Sequence, residues 1–331
     1  MGSFNSRTSG QFFVFGFEGT FPPVGFLDLI EKRNLGGVIL FSGNVESPGQ
    51  ISEALKELKS RSKHPLFVMI DQEGGRVNRI TKDFPVFPSN EFYGNRKDED
   101  GIFKAYKTTA RELARLGINV NLAPVVDVLT NPSNAVLKER SFGEDPALVA
   151  RMSQLAVEAI KSEDLLACAK HFPGIGDIDI DPHSDLPVNS NSKERFERVD
   201  FVPFKASISS EVNMIMSTHV LCPGLDSKGP ASLSKVICTD ILRKELGFEG
   251  ILITDDMQMG AIRKKGELAE ACKQAFLAGN DLILVCDGFE EQIQLLEHFE
   301  KQVADRKISE ERLNSSLNKI LSAKERLGYS K

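Results

Sequence analysis

The chain has no tryptophan and only three tyrosines in 331 residues, so any aromatic stacking platform has to come from its 22 phenylalanines. Cysteine is sparse and odd in number. Cys168, Cys222, Cys238, Cys272 and Cys286 are scattered, with no CxxC pair. That usage argues against a disulfide framework and fits a reducing cytoplasm. Positive charge is not in excess: 41 Lys and Arg face 47 Asp and Glu, a formal charge of −6. Such a chain lacks the broad positive field that nucleic acid requires. No stretch approaches the ~20 apolar residues of a membrane span, and no apolar run follows a basic start, so neither a span nor a signal peptide is expected. No low-complexity linker or charge block marks a domain boundary. The balance of 41% apolar and 27% charged residues is that of a globular chain and excludes a disordered or collagenous one.

What is present is alternation. Apolar, strand-like runs recur at residues 12–17, 37–41, 66–70, 118–123, 165–169, 213–217, 251–254 and 281–286. Helix-like stretches lie between them. Ser47-Pro48-Gly49-Gln50 reads as an N-cap, a proline at the first helical position and a capping-box partner, followed by Ile51, Leu55 and Leu58 on one face. Residues 147–161 carry Met152, Leu155, Ala156 and Ala159 at helical spacing, and residues 232–246 form a helix stopped by Gly247. Leu313, Leu317, Ile320 and Leu321 form a closing stripe. The runs are apolar throughout, as in strands covered on both faces, and their alternation with helices predicts parallel strands. A closed (β/α)8 barrel or an open doubly wound sheet would fit. No GxGxxG follows the first run, and eight units favour the α/β class as one TIM-type barrel over residues 1–331.

A barrel gathers chemistry at the C-terminal ends of its strands. Those ends are polar here: Asp71 with Glu73 and Arg76 after strand three, Asp127 and later Arg140 after strand four, Lys170 and His171 after strand five, Thr218-His219 after strand six, Asp255-Asp256 after strand seven. Asp255, directly after an apolar strand, is placed as a nucleophile must be, or caps a loop. Asp256 beside it reads as the structural one. Asp181 and His183, two apart in a Gly- and Pro-containing loop, suit a proton shuttle or a solvated loop. Lys170 and His171 would bind hydroxyls or an anion, or form a salt bridge and a buried histidine. Arg140 reads as a bidentate anchor or an ion pair, and Asp71 as an acceptor for vicinal hydroxyls or a loop cap. Glu73 and Arg76 read as a structural pair. Asp177, Asp179 and Asp181 imitate an EF-hand start, but Pro182 and Val188 fill the required glycine and glutamate positions. A metal-dependent hydrolase built on His171, His183 and His219 would need a paired-histidine motif after strand one, and Phe17-Glu18-Gly19 offers none.

Five phrases in order resemble glycoside hydrolase family 3, in its single-domain branch of β-N-acetylglucosaminidases of bacterial cell-wall recycling. They are Ile70-Asp71-Gln72-Glu73-Gly74-Gly75-Arg76-Val77, Arg140-Ser141-Phe142-Gly143-Glu144-Asp145-Pro146, Lys170-His171-Phe172-Pro173-Gly174, Asp181-Pro182-His183 with Leu186-Pro187, and Thr254-Asp255-Asp256-Met257. The resemblance implies a retaining, exo-acting enzyme that removes a non-reducing N-acetylglucosamine from muropeptide fragments. Asp255 would be its nucleophile and His183 its acid/base, held by Asp181. Asp71, Arg140, Lys170 and His171 would grip the sugar hydroxyls. No cofactor or metal is expected; the partner is a small carbohydrate, the setting cytoplasmic, and a monomer is favoured. The family's usual glycine-histidine-glycine is Gly174-Ile175-Gly176 here. A family member of other sugar specificity, a glycoside phosphorylase and a non-catalytic sugar-binding protein are the alternatives.

Overall fold

The computed structural model describes residues 6–179, 186–263 and 266–327. Each of the eight apolar runs forms a strand: β1 Phe13–Phe15, β2 Gly37–Leu40, β3 Phe67–Ile70, β4 Val120–Asn121, β5 Leu166–Phe172, β6 Met214–Ser217, β7 Ile251–Thr254 and β8 Ile283–Val285. They pair in parallel, each with its sequence neighbour, and β8 returns to β1 through Phe13↔Ile283 and Phe15↔Val285. The last seam, β7 to β8, is an isolated bridge, Ile253↔Leu282, with Thr254 N–H donating to the Leu282 carbonyl at 3.1 Å. The result is a nearly closed (β/α)8 barrel. Its strands are buried on both sides, which is why they read as continuous apolar runs.

One difference from the sequence reading matters for the site. Strand β5 continues three residues beyond its apolar stretch, through Lys170, His171 and Phe172. The lysine and histidine therefore stand on the strand itself, held by the ladder to β6, where Lys170 faces Met216.

The helices α1 Val24–Arg33, α2 Pro48–Arg61, α3 Glu99–Leu116, α4 Pro146–Lys161, α5 Phe201–Ser209, α6 Leu268–Ala278, α7 Phe289–Ala304 and α8 Glu310–Arg326 cover the barrel, with a π-helix at Val236–Glu245. Ser47 caps α2 by accepting from Gln50 N–H at 3.2 Å, as its sequence predicts. The reciprocal half of the capping box is shifted, because the Gln50 side-chain Oε1 accepts from Glu46 N–H, one residue before the cap. Gly247 ends the π-helical segment in the left-handed region, at φ 74°.

Helix α8 lies against the floor of the barrel, at the N-terminal ends of the strands. It buries Leu313, Leu317 and Ile320. Beside them Lys324 is 1% exposed, its Nζ 2.8 Å from Gln11 Oε1 and 4.9 Å from the Phe67 ring centre. Burial pushes this amine down to about 7. Nearby, Asp281 Oδ2 takes Arg243 Nη2 at 2.5 Å and Leu252 N–H at 3.0 Å. Its Oδ1 meets Ser316 Oγ, Lys319 Nζ at 3.4 Å and Arg312 Nη1 at 3.6 Å.

Candidate active site

At the opposite end, the strand termini enclose a cavity of about 720 Å³. Five of the seven residues singled out from the sequence line it: Asp71, Arg140, Lys170, His171 and Asp255. Asp181 and His183 lie outside the described residues.

The polar wall is one connected network. Lys170 Nζ lies 2.7 Å from Asp71 Oδ1 and 2.7 Å from Glu73 Oε1. Arg140 grips Glu73 with both prongs, Nε to Oε2 and Nη2 to Oε1, each at 2.9 Å. Arg79 Nη2 reaches the second oxygen of Asp71 at 3.1 Å. Burying such charges is costly unless each is paired and hydrogen-bonded. Here Asp71, Glu73 and Asp127 face Arg79, Arg140 and Lys170. Burial alone would push the Glu73 carboxyl up, but the charges of Arg140 and Lys170 and their hydrogen bonds hold it well below the carboxylate range. Asp71 is lowered in the same way: burial opposes, and Lys170 and Arg79 prevail. The converse holds for the cations. Burial disfavours charge on Lys170, yet Asp71 and Glu73 raise its amine above the ordinary lysine value.

Counting hydrogens shows what this wall offers. Among the described residues Lys170 uses two of its three, so one remains. Arg140 has five: Nε and one on Nη2 go to Glu73, the other on Nη2 goes toward His171 Nε2 at 3.3 Å, and one on Nη1 goes to the Val136 carbonyl at 3.3 Å. One Nη1 hydrogen remains. The wall thus presents two charge-assisted donors, the kind that recognise hydroxyl or carbonyl oxygens.

Asp255 stands across from this wall at the end of β7. Its N–H donates to the Ser217 carbonyl at 2.7 Å, its Oδ1 accepts from Asp256 N–H at 2.9 Å, and its Oδ2 accepts from Thr218 Oγ1 at 3.3 Å. Asp256 is structural, as its position suggested: its Oδ1 accepts the N–H groups of Gln258 and Cys286 at 3.1 and 3.2 Å. Burial pushes the Asp256 carboxyl up to about 6. His219 is also committed, with Nδ1 2.7 Å from Ser232 Oγ and Nε2 3.0 Å from the Asp256 carbonyl. It therefore does not join His171 in a metal set. Among the described residues no group of three or more His, Cys, Asp or Glu is arranged to hold a metal.

One reading from sequence needs correction. Glu73 does not pair with Arg76. The Gln72–Gly74 and Val77–Asn78 hairpin turns Arg76 outward, where it donates to the carbonyls of Ala135, Val136 and Lys138, while Glu73 points into the network. Of the two roles weighed for Asp71, the loop cap falls away, since its oxygens take Lys170 and Arg79. Sequence reasoning also missed the work of Asp127, which it saw only as a polar strand end. This carboxylate is 1% exposed and takes hydrogen bonds from the strand-five end. The signal available was an acid inside the apolar run Val125–Val128.

The loop that follows β5 is fastened at its base. A side chain at Gly176 would put its Cβ 1.7 Å from the Val128 carbonyl oxygen, so the position admits only glycine. Asn134 Nδ2 holds the Ile175 carbonyl at 2.6 Å, and Asn191 Nδ2 holds Asp177 at 2.8 Å. Ile175, where the family usually has histidine, turns an apolar side chain into the cavity wall.

Comparison with known proteins agrees with this fold. The model of the glycosyl hydrolase family 3 N-terminal domain matches residues 26–323. The beta-hexosaminidase A of Pseudoalteromonas piscicida is 36% identical over 338 residues, covering 94% of this chain and 56% of that protein. A beta-hexosaminidase of Nitrosomonas eutropha is 34% identical over 268 residues, 79% of this chain and 76% of its own. The structure of a family 3 beta-N-acetylglucosaminidase from Paenibacillus sp. str. FPU-7 superposes with a TM-score of 0.96 at 36% identity, covering 98% of this chain and 63% of that one. The chain thus spans little more than half the length of the first relative and under two thirds of the Paenibacillus protein. With the barrel and the family model in agreement over most of its length, this chain belongs to glycosyl hydrolase family 3.

Proposed function

We propose that the chain is an exo-acting, retaining β-N-acetylglucosaminidase, acting as a single catalytic barrel on muropeptide fragments in the cytoplasm, as a monomer and without cofactor. The observation that carries the reading is the opposition of Asp255 to the polar wall of Asp71, Arg140, Lys170 and His171 across one cavity. The two residual donors and the Asp71 carboxylate suit the hydroxyls of a terminal sugar. Asp255 then attacks the anomeric carbon as the glycosidic bond breaks, giving a covalent glycosyl-enzyme. His183, charged and oriented by Asp181, delivers its proton to the departing oxygen. In the second step neutral His183 takes a proton from water as the water oxygen bonds to the anomeric carbon, and the bond to Asp255 breaks, releasing the sugar and the carboxylate. The names of the relatives, beta-hexosaminidase and beta-N-acetylglucosaminidase, support the choice of sugar.

The test compares an aryl β-N-acetylglucosaminide with the matching β-glucoside, for the wild type and Asp255→Asn. We expect preference for the N-acetylated substrate and a loss of at least ~10³-fold in the variant with an unchanged circular dichroism spectrum. Near-normal turnover by Asp255→Asn overturns the assignment. Assaying with and without phosphate separates hydrolysis from phosphorolysis. His183→Ala should damage hydrolysis of a disaccharide far more than release of an activated aryl group, which needs little acid assistance. Equal losses on both substrates would remove His183 from the acid role.

A further inference from the structure

Asp127 carries more hydrogen bonds to the cavity wall than any role discussed so far explains. Its Oδ2 accepts from His171 N–H at 3.1 Å and lies 2.7 Å from His171 Nδ1. Its Oδ1 accepts from Ile175 N–H at 2.9 Å. An ionised carboxylate is acceptor only, so the proton between Asp127 and His171 sits on Nδ1. On the other side of the ring, Nε2 lies 3.3 Å from Arg140 Nη2. A guanidinium can only donate, so Nε2 must present its lone pair. The two neighbours together permit one state: neutral His171, protonated at Nδ1, accepting at Nε2.

We propose that Asp127 is a positioning residue for sugar recognition, acting through His171 on Arg140. By fixing the ring as an acceptor, it lets His171 take the second Nη2 hydrogen of Arg140, while Glu73 takes the first together with Nε. The guanidinium is then clamped from both sides, and its remaining Nη1 hydrogen has a fixed direction for the substrate. The other oxygen of the same carboxylate holds the backbone of Ile175, so the polar wall and the apolar wall of the cavity are set by one group. This inference rests on the cavity being the sugar site, but the state of the His171 ring can be read without any glycosidase assay.

Substitution Asp127→Asn replaces one acceptor oxygen by an NH2. Three donors cannot all be met by one carbonyl. If the amide nitrogen faces His171, the ring must protonate at Nε2 instead and point a donor at the Arg140 donor. If it faces Ile175, that N–H loses its partner. The experiment is long-range 1H–15N correlation of protein labelled at its five histidines, at pH 7, with His171 assigned by its loss in His171→Gln. Calorimetric titration with N-acetylglucosamine accompanies it.

We expect His171 of the wild type to be neutral and protonated at Nδ1. In Asp127→Asn either the other tautomer appears, where the amide nitrogen faces His171, or the Ile175 N–H is released, where it faces Ile175; in both cases sugar affinity should be at least ~10-fold weaker. A wild-type ring protonated at Nε2 or at both nitrogens overturns the proposal. So does a folded Asp127→Asn that binds the sugar as tightly as wild type. The wild-type spectrum decides the tautomer even where the variant does not fold. Failure of Asp255→Asn to lose turnover, with the His171 result as expected, would instead point to the catalytic assignment.

Discussion

Two charged networks are buried at opposite ends of this barrel, and they are balanced differently. At the mouth, carboxylates and guanidinium or ammonium groups match, and the cations are reinforced: Arg140 and Lys170 are raised despite burial. At the floor a single carboxylate, Asp281, faces Arg243, Arg312 and Lys319. Burial and mutual repulsion there push Arg312 and Lys319 down, and the Asp281 carboxyl, which burial would raise, is held low by the cations around it. The excess positive charge is relieved toward solvent, since the Lys319 side chain is 28% exposed. The lesson concerns leftover capacity. The floor network spends its one carboxylate on tying α8, the π-helix and β7 together. The mouth network is satisfied yet keeps two donors for a ligand.

The largest effect should come from removing the keystone of the floor. Asp281→Ala leaves three cations around a buried gap and should cost ~3–5 kcal/mol of stability. Denaturant unfolding measures this, and turnover per folded molecule should not change. At the mouth, Glu73→Gln keeps the shape but removes the charge that orients Arg140 and Lys170. A misplacement of that kind should lower turnover by ~10²-fold, with a smaller stability loss of ~1–3 kcal/mol. A fully active Glu73→Gln as destabilised as Asp281→Ala would erase the distinction between the two ends.

Lys324 sharpens the comparison through pH. Its folded-state value of about 7 lies below its ordinary 10.5. Between these values the unfolded chain holds a proton that the folded chain does not, so stability rises with pH across that window, and the burden is greatest below about 7. Lys324→Met should flatten the rise in thermal midpoint between pH 7 and pH 10; an unchanged slope would show that the amine is charged in the fold. The smallest effect belongs to Lys319→Met. Removing the most exposed of the three floor cations should shift stability by less than ~1 kcal/mol, and a larger loss would mean Asp281 needs all three.

The sequence made the barrel legible because parallel strands covered on both faces leave uninterrupted apolar runs, and the Ile251–Thr254 run coincides with its strand to the residue. Strand β5 was read short for the same reason. Lys170 and His171 are polar, and only the pairing with β6 reveals that the strand continues beneath them. Asp71 and Asp255 could be named because each directly follows an apolar strand, Lys170 and His171 because they extend one, and Arg140 from its phrase in the loop beyond, but their partners could not. Glu73 sits three positions from Arg76 and 67 from Arg140, and local proximity suggested the wrong one. Asp127 was opaque for a related reason: its three bonds go to a segment more than forty residues away.

The seam between β1 and β8 has a consequence for how the molecule is made. The first strand, at Phe13–Phe15, pairs with Ile283–Val285, and Gln11 waits for Lys324. A ribosome adding ~5–20 residues per second needs on the order of tens of seconds to bring those partners out after β1 has emerged. Throughout that interval an apolar strand has an open edge, the kind that pairs with other chains. Yield in a cell should therefore depend on translation speed and on chaperone supply more than the equilibrium stability of the finished barrel would suggest.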